Sequence, residues 1–160
     1  MATAPKLTDE ELRLWRAFLR AHSTMLRRIA RDLEEAGLPP LTWYDVLAAL
    51  RDAPEGQRMR QVELAERVLL SHSGLSRLID RIEAKGLVER VQCPGDRRSL
   101  HIQLTDEGRR MLEEMWPVYA RGIAEDFLPA LGSNIDELRD VLENVGRQCE
   151  RQREAEEAAA

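Results

Sequence analysis

The side chains best suited to chemistry in this 160-residue chain are polar and cationic groups at helical spacing between Ser71 and Lys85. Hydroxyl and guanidinium groups on one exposed helix face can read base edges and bind phosphates. We predict DNA contacts here for Ser71, His72, Ser73, Ser76, Arg77 and Arg81. The simpler alternative is a helix face that meets only solvent or another protein.

The apolar residues of the same segment predict the helix that would present this face. Ser71 can cap its first turn, and Gly86 supplies the left-handed residue that ends many helices. Positions i, i+3, i+4 and i+7 are apolar, which predicts one buried stripe. The residues of the stripe are Leu75, Leu78, Ile79 and Ile82.

A second group of cations follows in a predicted β-hairpin. Leu100, Ile102 and Leu104 alternate with polar residues, which is typical of a half-buried strand. The connection at 94–99 has the composition of a turn. Two arginines in this connection are predicted to contact the minor groove or phosphates, and one aspartate is predicted to orient them. These residues are Arg97, Arg98 and Asp96.

The sequence LAER…SGLSRLIDRIEAKGLVER…PGDRRSLHIQLTDEG resembles the MarR family of winged helix-turn-helix transcriptional regulators. The motifs that carry the resemblance are LAER, LIDR, GLVER, Asp96-x-Arg98 and LTxxG. The resemblance implies a cytoplasmic regulator that binds double-stranded DNA as a homodimer. It also implies repression that a small aromatic acid relieves.

The flanking segments predict long helices outside the DNA-reading part. Thr8 and Glu11 form a capping box, and the helix that follows should reach about Ala36. Its apolar stripe, like that of residues 106–153, is too long for one small core to cover. We therefore predict a mainly α fold with a small β-wing, in which 1–36 and 106–160 are dimerisation helices and 37–105 is the winged helix-turn-helix domain. A two-fold dimer would fit a palindromic operator.

Aromatic residues of the first two predicted helices are candidates for an effector site. In MarR relatives, aromatic acids bind between the dimerisation helices and the winged helix. The candidates are Trp15, Arg16, His22, Trp43 and Tyr44. Packing in the core or in the dimer interface is the alternative for each of them.

Composition and charge exclude several other classes of protein. The net charge is −5, yet residues 71–101 contain six cations against four anions, which predicts a local basic patch. The three histidines show no metal-ligand spacing, and no nucleophile–base pair or phosphate-binding glycine loop indicates an enzyme or a cofactor. No segment predicts a signal peptide or a membrane span. Cys93 leaves a redox-switched repressor as an alternative reading, and a winged-helix module that binds proteins is another.

Overall fold

The computed structural model describes residues 5–54, 58–68, 72–93 and 96–159, without the side chains of residues 72, 73, 93, 96–99, 157 and 159. The contacts within the chain divide it into two compact units, Met1–Arg121 and Gly122–Ala160. The predicted mainly α fold with a small wing is confirmed.

The helices and strands follow in a winged-helix order. The first unit contains α1 (Asp9–Glu35), α2 (Leu41–Arg51), β1 (Arg58–Arg60), α3 (Gln61–Arg67), α4 (His72–Glu83), β2 (Val88–Cys93), β3 (Asp96–Leu104) and α5, which runs over Asp106–Gly122. A π-helical turn (Ile123–Phe127), α6 (Leu128–Leu131) and α7 (Ile135–Ala159) follow.

The start of α1 is as predicted, and the start of α2 is not. Thr8 caps α1, and its hydroxyl accepts from the backbone N–H of Glu11 while the Glu11 carboxylate accepts from the Thr8 N–H. Threonine is a favourable N-cap residue, so the sequence predicts Thr42 as the cap of the second helix, but α2 already begins at Leu41 after Pro40. Pro40 has an extended ψ of 150°, and its carbonyl accepts from the Trp43 N–H at 2.8 Å. Pro40 therefore occupies the N-cap position of α2.

The three strands form an antiparallel sheet in the order β1-β3-β2. Met59 of β1 is opposite Ile102 of β3, and both are buried. The predicted alternation in β3 is correct at Ile102 and Leu104, which are both buried. It is wrong at Leu100 and His101, because Leu100 is 51% exposed and His101 is only 7% exposed. Strand β1 pairs with β3 only as far as His101, so Leu100 lies beyond the three-stranded part of the sheet.

The core of the first unit collects the apolar faces of its helices against this sheet. The stripe predicted for α4 is confirmed, since Leu75, Ile79 and Ile82 have no exposed surface and Leu78 is 8% exposed. It packs with the fully buried Leu33, Val46, Leu47, Leu50, Leu64 and Met115. The opposite face of α4 is left for other contacts.

A tight joint links the end of β3 and the start of α5 to the end of α4. The hydroxyl of Thr105 donates to the carbonyl of Gly86 at 2.7 Å and accepts from the N–H of Gly108 at 3.0 Å. Thr105 N–H also donates to Leu87 O. A Cβ on Gly108 would lie 2.1 Å from that same carbonyl oxygen, so only glycine fits there. These contacts explain the LTxxG motif, Leu104 to Gly108.

Helix α7 extends beyond the apolar stripe of residues 106–153 and continues to Ala159. The last residues are mostly glutamate and alanine, which have high helix propensity.

Candidate nucleic-acid interface

Helix α4 presents a polar face directly opposite its buried stripe. Arg77 and Arg81 are exposed and Ser76 is half-buried, so three of the predicted DNA-contacting residues share the accessible side of the helix. His72 and Ser73 lie in its first turn, with their side chains outside the described part, and Ser71 lies outside the described residues altogether. The face carries the hydroxyl and guanidinium groups that base edges and phosphates require.

Arg81 also contacts an aromatic ring of another helix, which the sequence did not predict. Its guanidinium carbon lies 6.0 Å from the centroid of the Trp43 ring, within the range of a cation–π interaction. Trp43 is 7% exposed, so the contact links a buried aromatic residue of α2 to the accessible face of α4.

Arg90 of β2 holds the wing against α4. Its guanidinium donates to Asp80 Oδ1 at 2.6 Å and also to Glu83, while its backbone N–H donates to Glu83 Oε1 at 3.1 Å. Our charge count treated Arg90 as part of the basic patch, but two carboxylates neutralise it. The cations that remain accessible on α4 are therefore mainly Arg77 and Arg81. Sequence analysis missed this role because the partners are seven and ten residues away on another element.

The wing is more regular than the sequence predicted. Strands β2 and β3 pair from Val88 opposite Leu104 to Cys93 opposite Asp96, with an irregularity after Gln92. The turn predicted over 94–99 is thus too long, because β3 already begins at Asp96. Arg97 and Arg98 belong to β3 and lie next to the tip of the wing. The groove contacts of their side chains and the orienting role of Asp96 stay predictions.

The candidate effector residues fall into separate groups. Trp15 and Phe18 stack along α1 with ring centroids 5.7 Å apart, and Phe18 stacks on His22 at 6.2 Å. Trp15 is 55% exposed, and Arg16 and His22 are exposed as well. On α2, Trp43 and Tyr44 are buried instead.

Tyr44 belongs to an aromatic cluster with α5. Its ring stacks on Tyr119 at 4.1 Å, and Trp116 lies 6.2 Å from Tyr119. Burial raises the pKa of both tyrosines, and the nearby Asp45 carboxylate raises the pKa of Tyr119 further. Both hydroxyls are therefore neutral near pH 7.

A pocket of about 430 Å³ lies beside Trp43. Its walls include Leu38, Leu87, Met111 and the ammonium-bearing Lys85. The buried Trp43 Nε1 has no hydrogen-bond partner among the described residues. The pocket thus has apolar walls, the Trp43 indole, one cation at Lys85 and one carboxylate at Glu107.

In the part of the chain that the structure describes, no group of three His, Cys, Asp or Glu side chains could hold a metal ion. None of the described helices has the length and apolar composition that crossing a membrane requires.

Comparison with known proteins agrees with this architecture. A model described as MarR family matches residues 36–99. The chain is 31% identical to the uncharacterized HTH-type transcriptional regulator YkoM of Bacillus subtilis (strain 168), over 86% of this chain and 87% of the relative.

Solved structures extend the similarity to the whole fold. The MarR family transcriptional regulator Sco3205 from Streptomyces coelicolor, in complex with DNA, matches with a TM-score of 0.77 and 28% identity over 93% of this chain and 91% of its own. CouR from Rhodococcus jostii RHA1, bound to p-coumaroyl-CoA, matches with a TM-score of 0.69 and 27% identity over 81% of this chain and 88% of its own. The chain belongs to the MarR family of winged helix-turn-helix, DNA-binding transcriptional regulators.

Proposed function

We propose that this regulator is a homodimeric repressor that binds a palindromic operator through α4 and the wing and that a small aromatic acid releases. The observation that carries the proposal is the exposed polar face of α4, opposite a fully buried stripe. A helix presented in this way, beside a basic hairpin, fits the width of a major groove.

Within this proposal the residues of α4 and the wing have different tasks. Base edges are contacted by Ser76, Arg77 and Arg81, together with Ser71, His72 and Ser73 at the start of the helix. The wing arginines, Arg97 and Arg98, bind the minor groove or phosphates, and Asp96 orients them. The Arg90 bridge fixes the wing relative to the recognition helix, so that both elements meet the duplex in one register.

Exposed apolar surface supports the homodimer. On α1 the exposed large side chains include Leu14, Trp15, Phe18 and Leu19, and on α7 they include Val141, Leu142 and Val145. Such surfaces are typical of protein interfaces. We assign 1–36 and 106–160 to dimerisation and 37–105 to DNA binding.

The pocket beside Trp43 supports the effector. An aromatic carboxylate there would accept a hydrogen bond from Trp43 Nε1–H and pair with Lys85, while its ring meets the apolar walls. Arg81 lies over Trp43 and belongs to the DNA-reading face, so a bound acid could compete with DNA for this arginine. CouR supplies a relative whose structure contains an aromatic acid derivative. The other effector candidates, Trp15, Arg16, His22 and Tyr44, would line the remainder of the site in the dimer.

The DNA-binding part is tested by selecting bound duplexes from a random pool and measuring affinity by fluorescence anisotropy. Arg77→Ala should change base preference, at about 1–3 kcal/mol for a lost base contact. The control is Arg13→Ala, which removes an exposed cation from α1. Salt-independent retention on DNA, or an unchanged preference with Arg77→Ala, would contradict the assignment.

The effector part needs calorimetric titration of salicylate and related acids with and without operator. Thermodynamic linkage requires that the operator lower the affinity for the acid by the same factor by which the acid lowers the affinity for the operator. This factor is typically about 5- to 150-fold. The Lys85→Gln and Trp43→Phe variants should bind the aromatic acid more weakly than the wild type. The Arg13→Gln variant should bind it with unchanged affinity. Equal binding in the presence and absence of operator would rule out this pocket as the switch.

A further inference from the structure

A second pocket, of about 410 Å³, lies between β1, β3 and α3. Its walls include Arg58 and Arg60 of β1, His101 of β3, and Glu63 and Arg67 of α3. In the register of the sheet, Arg60 is opposite His101 and Arg58 is opposite Gln103, whereas Met59 and Ile102 between them point into the core. Arg58 and His101 are therefore diagonal neighbours on one face of the sheet.

Two nitrogens of this pocket are buried without a hydrogen-bond partner in the described part of the chain. His101 Nδ1 and Arg58 Nε are both buried and have no hydrogen-bond partner among the described residues. His101 itself is 93% buried. Buried polar groups in native proteins are nearly always hydrogen-bonded, so two such atoms in one pocket indicate a ligand that completes them. Arg58 Nε–H can only donate, and His101 Nδ1 can donate in one neutral tautomer and in the charged form.

The charges around these two nitrogens favour an anion. Arg60 is already paired with Glu63, whose carboxylate lies 3.1 Å from Arg60 Nε and also accepts from the Arg60 backbone N–H. Arg58 and Arg67 add two more guanidinium groups to the walls, and Glu66 is the other acidic group there. Guanidinium groups bind the oxygens of carboxylates and phosphates through strong charge-assisted hydrogen bonds.

We propose that the pocket between β1, β3 and α3 binds a small oxyanion, a free phosphate or carboxylate group, through Arg58 Nε–H and His101 Nδ1–H. The site lies away from the Trp43 pocket and from the polar face of α4. It is a ligand site separate from the effector pocket proposed above, and its existence does not depend on that effector.

The test is NMR of the imidazole nitrogens with inorganic phosphate as the probe. The chain has three histidines, so the His101 signals can be assigned by single substitutions. Phosphate should shift the His101 Nδ1 signal saturably at fixed pH and ionic strength, with the His22 signals unchanged. Arg58→Gln should weaken binding at least about tenfold, which corresponds to about 1.4 kcal/mol. Arg13→Gln is the matched control and should not change it.

Several results would overturn the proposal. One is a His101 shift that chloride reproduces at the same ionic strength, and another is a shift that Arg58→Gln leaves intact. If duplex DNA shifts His101 and free phosphate does not, the site serves the DNA backbone and the free-oxyanion assignment is wrong. If Arg58→Gln does not fold, His101→Gln is the second variant, and its phosphate affinity is measured by calorimetry because it lacks the imidazole signal. An affinity equal to that of the wild type would overturn the proposal.

Discussion

At the residue scale, Arg90 is the side chain whose role differs most between sequence and structure. Its guanidinium is mostly buried and bonds two carboxylates of α4. Arg90→Gln should lower the free energy of unfolding by about 1–3 kcal/mol, because it leaves the partly buried Glu83 carboxylate without its cation, while the exposed Asp80 adds little. Urea denaturation measures this change.

A matched control exists on α7. Arg139 also lies close to three acidic residues, Asp136, Asp140 and Glu143, but its side chain is 55% exposed. Exposed ion pairs contribute little, so Arg139→Gln should change stability by less than about 1 kcal/mol. Equal losses for the two variants would show that Arg90 is an ordinary surface pair.

The stacked tyrosines predict a loss of stability in alkaline solution. Both have a folded-state pKa raised above the ordinary value of 10.0, so folding favours their neutral forms. Their contribution to stability is complete below that pH and is lost as the pH rises from it through the higher folded-state pKa. Tyr119→Phe should reduce the fall in denaturation midpoint between pH 9 and pH 11, and an identical fall in the variant would refute this account.

The residue types could be read from the sequence, and their partners could not. The face of α4 follows from helical periodicity alone, so Arg77 and Ser76 were correctly placed as accessible. Which cations remain accessible depends on tertiary neighbours. Arg90 is neutralised from another element, and Arg81 finds Trp43 from α2, more than thirty residues earlier in the chain.

At the scale of elements, the joint between α4 and α5 gives the sharpest prediction. Gly108→Ala places a methyl group against the backbone of Leu87 and the side chain of Leu104. Overpacking of this kind costs about 1–3 kcal/mol, which outweighs the roughly 1 kcal/mol that alanine gains over glycine in a helix. Thermal denaturation should therefore show a lower midpoint.

Gly146 of α7 is the matched control for this substitution. A Cβ added there meets no atom within 4 Å, so Gly146→Ala should be neutral or stabilising by up to about 1 kcal/mol. If the two alanine variants behave alike, the joint is looser than described.

Elements were predictable where local signals were complete. The capping box at Thr8 and the stripe of α4 each lie within a few residues, and both were confirmed. Two features of β3 depended on pairing instead. Its start at Asp96 is set by β2, and the exposure of Leu100 follows from where β1 stops.

At the scale of the whole molecule, the prediction is the assembly. Light scattering at micromolar concentration should give twice the chain mass of 18.3 kDa. Phe18→Glu should shift this mass toward the monomer, because it puts a charge into the proposed interface. Val62→Glu is the control, since Val62 is an equally exposed apolar residue of α3, outside the segments assigned to dimerisation. A monomeric wild type that still binds a palindrome tightly would contradict the proposal.

The joint at Thr105 and Gly108 has a mechanical meaning for the regulator. A connection with no room for a methyl group cannot act as a hinge, so the first turn of α5 and the end of α4 move as one lever with its fulcrum near Gly86. Helix α4 has 12 residues, and its far end therefore lies roughly 18 Å from the fulcrum. A tilt of roughly 10° at α5 would carry the tip of the recognition helix about 3 Å, the length of one hydrogen bond. In the proposed dimer, a small rotation of α5 would thereby be converted into the gain or loss of the base contacts proposed for α4.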